Sequence, residues 1–127
     1  MRVLAFEDHY DIEAMLVAGG VNIDGWVIEQ RWNSSDALRH IETFAPDVLL
    51  LDHYMPPSTG HEVLIALLAS SVRRPTTIAA ISSDPSKNEV MRTLGADLAT
   101  VKFDVHRLPC WPSVGEEAPG KDLQSSS

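Results

Sequence analysis

The sequence predicts an α/β fold in which five strands form a parallel sheet with helices on both faces. Short apolar segments alternate with amphipathic ones along the chain, as in repeated strand-helix units. Gly, Pro, Ser and Asn residues separate the segments and mark turns. The segment Val48–Leu51 is apolar throughout and runs directly into Asp52, which is typical of a strand buried on both faces of a parallel sheet. A length of 127 residues fits a single domain.

The elements follow in chain order from apolar periodicity and from helix caps. Asp11 begins the first helix, whose buried stripe is predicted to contain Ile12, Met15, Leu16 and Val17, and Gly19 and Gly20 end it. The predicted strands cover residues 2–6, 26–32, 48–51, 77–81 and 98–101. The predicted helices cover residues 11–18, 37–44, 62–69 and 87–94. The crossovers between parallel strands are expected to be right-handed, and we expect the flavodoxin-like strand order 2-1-3-4-5.

The character of the chain changes after Lys102. Three prolines and two glycines interrupt the remaining segment, and a proline inside a helix costs about 3 kcal/mol. We therefore expect the last helix of the alternation to be absent or truncated to one turn near residues 104–108. The predicted domain covers residues 1–104, and residues 105–127 form an irregular or disordered tail. Either Leu108, Cys110 and Trp111 fold back over the open flank, or a homodimer covers it.

The composition excludes several classes of protein. A net charge of −8 argues against a direct nucleic-acid or anionic-membrane surface, because binding phosphates needs a basic patch. No apolar run approaches the roughly 20 residues that span a bilayer. The single Cys110 excludes an internal disulfide and fits a reducing cytosol, so we expect a cytoplasmic protein. His53 and His61 have no metal-binding spacing, and we expect surface side chains.

Polar side chains follow four of the predicted strands. Glu7 and Asp8 follow the first, Asp52 the third, Ser82 the fourth and Lys102 the fifth. The carboxyl ends of parallel strands meet at one edge of the sheet, where open α/β sheets bind their ligands. We therefore expect these five residues to form one site.

Three crowded carboxylates repel each other, and a hard divalent cation relieves that repulsion. Mg²⁺ prefers oxygen ligands, usually one or two carboxylates together with water and phosphate oxygens. We expect Asp8 and Asp52 to be direct ligands and Glu7 to act through a bound water. The backbone carbonyl of Tyr54 completes the predicted magnesium site.

The segment after the third strand resembles the phosphoacceptor region of response-regulator receiver domains, which have a CheY-like fold. That pattern is an apolar strand, Asp, two residues, Met-Pro, a short loop, Gly, one residue and Glu. The matching residues are Asp52, Met55, Pro56, Gly60 and Glu62. The resemblance implies that Asp52 takes a phosphoryl group from a histidine kinase or a phosphotransfer protein of a two-component phosphorelay. The phosphorylated domain would then switch a contact with a downstream protein partner.

The resemblance also implies roles for the remaining site residues. Lys102 would pair with Asp52 and then with a phosphoryl oxygen, and the Ser82 hydroxyl would donate to another phosphoryl oxygen. Such a domain is a phosphoacceptor and not an independent enzyme, since it only phosphorylates itself and slowly hydrolyses its own acyl phosphate. Tyr54 and Asp84 occupy the positions that tune this hydrolysis.

Three departures from the pattern support an alternative. Ala99 replaces the usual strand-five aromatic, Phe103 replaces the usual proline after the lysine, and the fifth helix is reduced. A non-proline cis bond costs about 3 kcal/mol, so we expect a trans bond between Lys102 and Phe103. The alternative is a degenerate receiver that acts as a binding or dimerisation module without phosphorylation.

Overall fold

Five parallel strands form the centre of the structure, a computed structural model that describes residues 1–112. The strands are β1 (Arg2–Phe6), β2 (Val27–Arg31), β3 (Val48–Leu51), β4 (Thr77–Ala80) and β5 (Leu98–Ala99). Their order is β2-β1-β3-β4-β5, as predicted. The helices between them are α1 (Ile12–Ala18), α2 (Ala37–Phe44), α3 (Gly60–Ala69) and α4 (Pro85–Leu94).

Helices cover both faces of the sheet, which confirms the predicted fold class. Alternate side chains of β3 point to opposite faces, so Leu49 and Leu51 join one buried cluster and Val48 and Leu50 join the other. The first cluster packs under α2, α3 and α4, and the second packs under α1 and the C-terminal segment. No helix within residues 1–112 combines the length and apolar character needed to cross a membrane.

Local capping chemistry shifts two helix starts from their predicted positions. Helix α3 begins at Gly60, because the Thr59 side chain accepts from the Glu62 backbone while the Glu62 carboxylate accepts from the Thr59 backbone. Helix α4 begins at Pro85, a favoured first helical residue, and Asp84 caps it. Both starts lie two residues before the predicted ones.

The prediction that Val17 is buried is wrong. Its side chain is 54% exposed, while Ile12 and Leu16 supply the buried contacts of α1. Ile12 and Leu16 are four positions apart and share the buried face of α1, whereas Val17 lies outside that face. Strands β2 and β5 are also shorter than predicted, and Trp32 lies outside β2 with an exposed side chain.

The C-terminal turn is a short 3₁₀ segment, Lys102–Arg107, in the place where a fifth helix was expected to be truncated. Beyond it, Leu108 and Trp111 fold back and are buried with Val105 against the α1 face of the sheet. The Trp111 indole donates to the Val105 carbonyl at 2.8 Å, and its ring lies 5.5 Å from that of Trp26. Leu108 and Trp111 therefore cover the flank of the sheet that the truncated fifth helix leaves open.

The tail prediction is only partly within the described residues. The predicted boundary between residues 104 and 105 falls inside the C-terminal turn, and the tail from residue 113 onward lies outside the described residues. The Lys102–Phe103 bond is trans, as predicted, because the only cis bond among residues 1–112 joins Pro56 and Pro57.

Candidate functional site

The carboxyl ends of β1 and β3 bring three acidic side chains together. Phe6 of β1 pairs with Leu51 of β3, and the Asp52 amide donates to the Phe6 carbonyl at 3.0 Å. Carboxylate oxygens of Glu7, Asp8 and Asp52 lie within 4.8 Å of one another. The predicted acidic cluster is therefore present at this edge of the sheet.

Asp52 is buried and ionises with difficulty. Its Oδ1 accepts from the His53 amide at 2.9 Å, and its Oδ2 lies 3.4 Å from Lys102 Nζ. Burial raises the pKa of Asp52 to about 6; the charge of Lys102 opposes this rise and that of Glu7 adds to it. Burial therefore disfavours the ionised form of Asp52, and nearby positive charge favours it.

Lys102 is held more closely by Glu7 than by Asp52. Its Nζ lies 2.9 Å from Glu7 Oε1, an ion pair that is the only polar contact of this oxygen among the described residues. Glu7 Oε2 accepts from the amides of His9 and Tyr10, each at 2.9 Å. Burial alone would lower the pKa of Lys102, but Glu7 and Asp52 together raise it, so the ammonium stays charged.

The donor set fits a divalent cation. Two of the three carboxylates are fully or almost fully buried, and one ammonium balances only one of the three negative charges. Asp8 is the more exposed ligand candidate, and its partner at the metal would be Asp52. Because Glu7 is engaged by Lys102 and two amides, it has less capacity for direct ligation, and its role through water stays a prediction. The carbonyl of Tyr54 stays a prediction.

Ser82 lies just beyond β4 and is buried. Its hydroxyl oxygen accepts from the Asp84 amide at 3.1 Å, and its proton makes no hydrogen bond among the described residues. The hydroxyl proton is thus available to an oxygen acceptor at this edge of the sheet.

Exposed aromatic residues contact loops that follow the strands of the site, and the sequence analysis did not predict these contacts. Tyr54 is 54% exposed, and its hydroxyl lies 3.4 Å from Asp84 Oδ2. The Tyr10 ring lies 5.4 Å from Lys102 Nζ and packs edge-on against Phe103 at 5.1 Å. No residue pattern predicts these contacts, because they join separate loops.

The prediction that His53 is a surface residue is wrong. Its side chain is only 8% exposed, and its ring packs against those of His61 at 4.1 Å and Tyr54 at 4.6 Å. Burial and the nearby His61 lower the pKa of His53. His61 ties this loop to α4 through the Lys87 carbonyl at 3.2 Å. The available signal was that His53 directly follows a buried strand-end residue.

Gly60 is required for the close approach of α3 to the site. A Cβ atom here would collide with the backbone carbonyl of Asp52, and the Gly60 amide donates to the His53 carbonyl at 2.8 Å. The glycine of the sequence pattern therefore has a steric role in this chain.

Comparison with known proteins identifies the fold. No protein-family model matches the chain. Over 97 residues, 76% of the chain, the sequence is 29% identical to the transcriptional regulatory protein TrcR of Mycobacterium tuberculosis, and it spans 37% of the length of that curated relative.

Solved structures match over 80% of the chain. The signal receiver domain of a DNA-binding response regulator from Colwellia psychrerythraea 34H has a TM-score of 0.66 at 22% identity, with 85% of that chain covered. The chemotaxis response regulator CheY4 of Vibrio cholerae has a TM-score of 0.64 at 27% identity, also with 85% covered. The chain therefore has the fold of the response-regulator receiver domains.

Proposed function

We propose that this chain is the phosphoacceptor receiver of a two-component phosphorelay and takes a phosphoryl group on Asp52. The observation that supports this most is the surrounding of Asp52: a buried carboxylate beside Lys102, in a cluster with Glu7 and Asp8. Two further carboxylates at this distance would not stabilise an aspartate that has a purely structural role, because like charges disfavour its ionised form and raise its pKa.

Each residue of the site has a separate role in the proposed phosphoryl transfer. The ionised Asp52 carboxylate bonds to the phosphorus of a phosphohistidine donor as the P–N bond breaks, and that electron pair returns to the imidazole nitrogen. Lys102 and the Ser82 hydroxyl donate hydrogen bonds to two phosphoryl oxygens. Asp8 and Asp52 would hold Mg²⁺, with Glu7 acting through water. When bound, Mg²⁺ supplies positive charge that neutralises the phosphoryl oxygens.

The same proposal includes partners. The donor is a histidine kinase or a phosphotransfer protein, and the phosphorylated chain changes its contact with a downstream protein in the cytoplasm. One relative is a transcriptional regulatory protein and another a chemotaxis response regulator, so the relatives do not identify the output. Hydrolysis of the acyl phosphate is the only other reaction we propose.

A second candidate function is a degenerate receiver that binds a partner or dimerises without phosphorylation. Specific observations favour it: position 99 has the small, half-buried Ala99, and Phe103 after the lysine is 59% exposed and turned toward Tyr10. An exposed aromatic pair beside the site could bind a protein surface directly.

Incubation of the purified chain with acetyl phosphate separates these candidates. Intact-mass measurement would be made with and without Mg²⁺, beside Asp52→Asn and beside the control Asp47→Asn. The Asp47 carboxylate lies just before β3 and accepts from the Arg2 amide. We expect a phosphate-sized gain in the wild type and in Asp47→Asn that requires Mg²⁺ and is absent in Asp52→Asn.

Two results of this experiment would contradict phosphorylation of Asp52. No gain in the wild type with Mg²⁺, under conditions that label an ordinary receiver, would contradict phosphorylation and favour the degenerate module. An equal gain in Asp52→Asn would place the phosphoryl group elsewhere.

A further inference from the structure

Asn88 is a buried polar residue on α4 that the proposed chemistry does not use. It is only 5% exposed, which is unusual for an asparagine in the first turns of a helix. A buried amide loses free energy unless its hydrogen-bonding groups have partners. The hydrogen-bond partners of the Asn88 side chain therefore indicate why this polar residue is buried.

All three partners of Asn88 are main-chain groups at the ends of β4 and β5. Its Oδ1 accepts from the Ser82 amide at 3.0 Å, and its Nδ2 donates to the Ser82 carbonyl at 2.9 Å. The same Nδ2 donates to the Thr100 carbonyl at 2.9 Å. One side chain thus connects Ser82, two residues after β4, with Thr100, the residue after β5.

Strand β5 is too short to hold this region by pairing alone. It pairs with β4 at only two positions, Ala79 with Leu98 and Ala80 with Ala99. The last backbone bond between the strands runs from the Thr100 amide to the Ala80 carbonyl at 2.9 Å. Lys102 lies two residues further, and Asn88 extends the connection toward it.

We propose that Asn88 is a positioning residue that sets the spacing between Ser82 and Lys102. This inference rests on the proposed function, in which these two side chains bind different oxygens of one phosphoryl group. Their separation must match that group, and a shift of about 1 Å at a reacting centre can cost about 100-fold in rate. Asn88 fixes the separation through backbone groups, so it acts without touching the phosphoryl group.

Asp97 offers a matched control, because it connects the same two strands at their opposite, amino-terminal ends. Asp97, just before β5, accepts from the Ile78 amide at 2.8 Å and pairs with Arg74 at 2.9 Å. Asp97→Ala would therefore loosen β4 and β5 far from the acidic cluster. Asn88→Leu has a similar branched shape, fills the buried space and removes the side-chain hydrogen bonds to Ser82 and Thr100.

The test compares wild type, Asn88→Leu, Asn88→Ala and Asp97→Ala in their reaction with acetyl phosphate. We expect the Asn88 variants to lose at least about tenfold in maximal phosphorylation rate, given the sensitivity of rate to position. The half-saturating Mg²⁺ concentration, measured by calorimetry without phosphodonor, should stay within about twofold, because Asp8 and Asp52 follow β1 and β3. Asp97→Ala should keep the wild-type maximal rate.

Amide hydrogen exchange provides a readout that does not depend on phosphorylation. The Ser82 amide, which donates to Asn88, and the Thr100 amide, which donates to the Ala80 carbonyl, should exchange faster in the Asn88 variants than in Asp97→Ala. Failure of the wild type to accept phosphate would contradict the proposed function, and exchange would still report whether Asn88 sets the spacing. Unchanged exchange together with an unchanged rate in both Asn88 variants would overturn the inference. An equal loss of maximal phosphorylation rate in Asp97→Ala would also overturn the inference, because it would show that Asn88 has only a general structural role.

Discussion

At the scale of single residues, the site is a balance between burial and charge. Asp52 is almost inaccessible to solvent, Lys102 lies closer to Glu7 than to Asp52, and the cluster has more negative than positive charge. The free energy of the ionised site therefore depends on added positive charge. This dependence has consequences for both titration and stability.

The first prediction concerns the titration of Asp52. In the absence of Mg²⁺, its side-chain carboxyl carbon should titrate with a midpoint of about 6 in an NMR experiment, because burial disfavours the carboxylate. Saturating Mg²⁺ should lower the midpoint, since a cation favours the ionised form. A metal-free midpoint near the ordinary value of 3.8 would show that the carboxylate is not destabilised.

The second prediction concerns the stability of the metal-free protein. The folded pKa of Asp52 lies above its unfolded value, so the folded state holds the proton more tightly. The free energy of unfolding should therefore fall as the pH rises from about 4 to about 6. Asp52→Asn removes this loss, so the variant should be more stable than wild type at neutral pH by ~1–2 kcal/mol. This difference is smaller than the full pKa shift of Asp52 implies, because Lys102 loses one ion-pair partner in the variant.

Urea denaturation measures this difference. The advantage of Asp52→Asn should disappear below the unfolded pKa, where Asp52 of the wild type is protonated as well. It should also decrease when Mg²⁺ is added, because the cation stabilises only the wild-type site. An Asp52→Asn variant that is less stable than wild type at neutral pH would contradict the account.

At the scale of elements, the start of α3 positions the loop that follows β3. Thr59 and Glu62 form the capping box, while Gly60 allows the helix to approach the Asp52 backbone. One end of one helix thus carries two separable functions, helix capping and close packing against the site.

The third prediction separates these two functions. Gly60→Ala should destabilise the protein by about 1–3 kcal/mol, because the added methyl collides with a rigid carbonyl. It should also slow phosphorylation, since the displaced carbonyl belongs to Asp52. Thr59→Ala, the matched control, should cost about 1 kcal/mol through loss of the cap and leave the phosphorylation rate unchanged. Equal rates in the two variants would show that the close approach does not position Asp52.

At the scale of the whole molecule, the C-terminal turn and the residues after it complete the core. Val105, Leu108 and Trp111 pack against α1 and the sheet, and His106 lies so close to Gly19 that a Cβ there would collide with it. The flank that a fifth helix would cover is thus closed by a much shorter segment.

The fourth prediction tests this closure. Trp111→Ala should destabilise the protein by about 3–5 kcal/mol, as expected for a large buried side chain. Trp32→Ala is the matched control, because Trp32 is half exposed, and it should change stability by less than about 0.5 kcal/mol. Chains ending at residues 104 and 112 extend the test. We expect only the longer one to retain the cooperative unfolding transition of the full chain.

The elements and the acidic cluster could be predicted because they depend on local periodicity and on where parallel strands end, while the strand order followed from analogy with the flavodoxin-like fold. Val48–Leu51 reads as a buried strand by itself, and parallel strand ends must meet at one edge. The burial of His53, the exposure of Val17 and the bridge made by Asn88 depend on how separate segments pack. No spacing in the sequence reports those contacts.

The most direct test of the central claim is to locate the phosphoryl group. The chain would be phosphorylated with acetyl phosphate and Mg²⁺, reduced with borohydride so that an aspartyl phosphate becomes homoserine, digested and sequenced by mass spectrometry. We predict homoserine at position 52, and unmodified aspartate at the neighbouring Asp47 and at Asp8. Homoserine at another position, or at none while the phosphate survives on a histidine, would contradict the account.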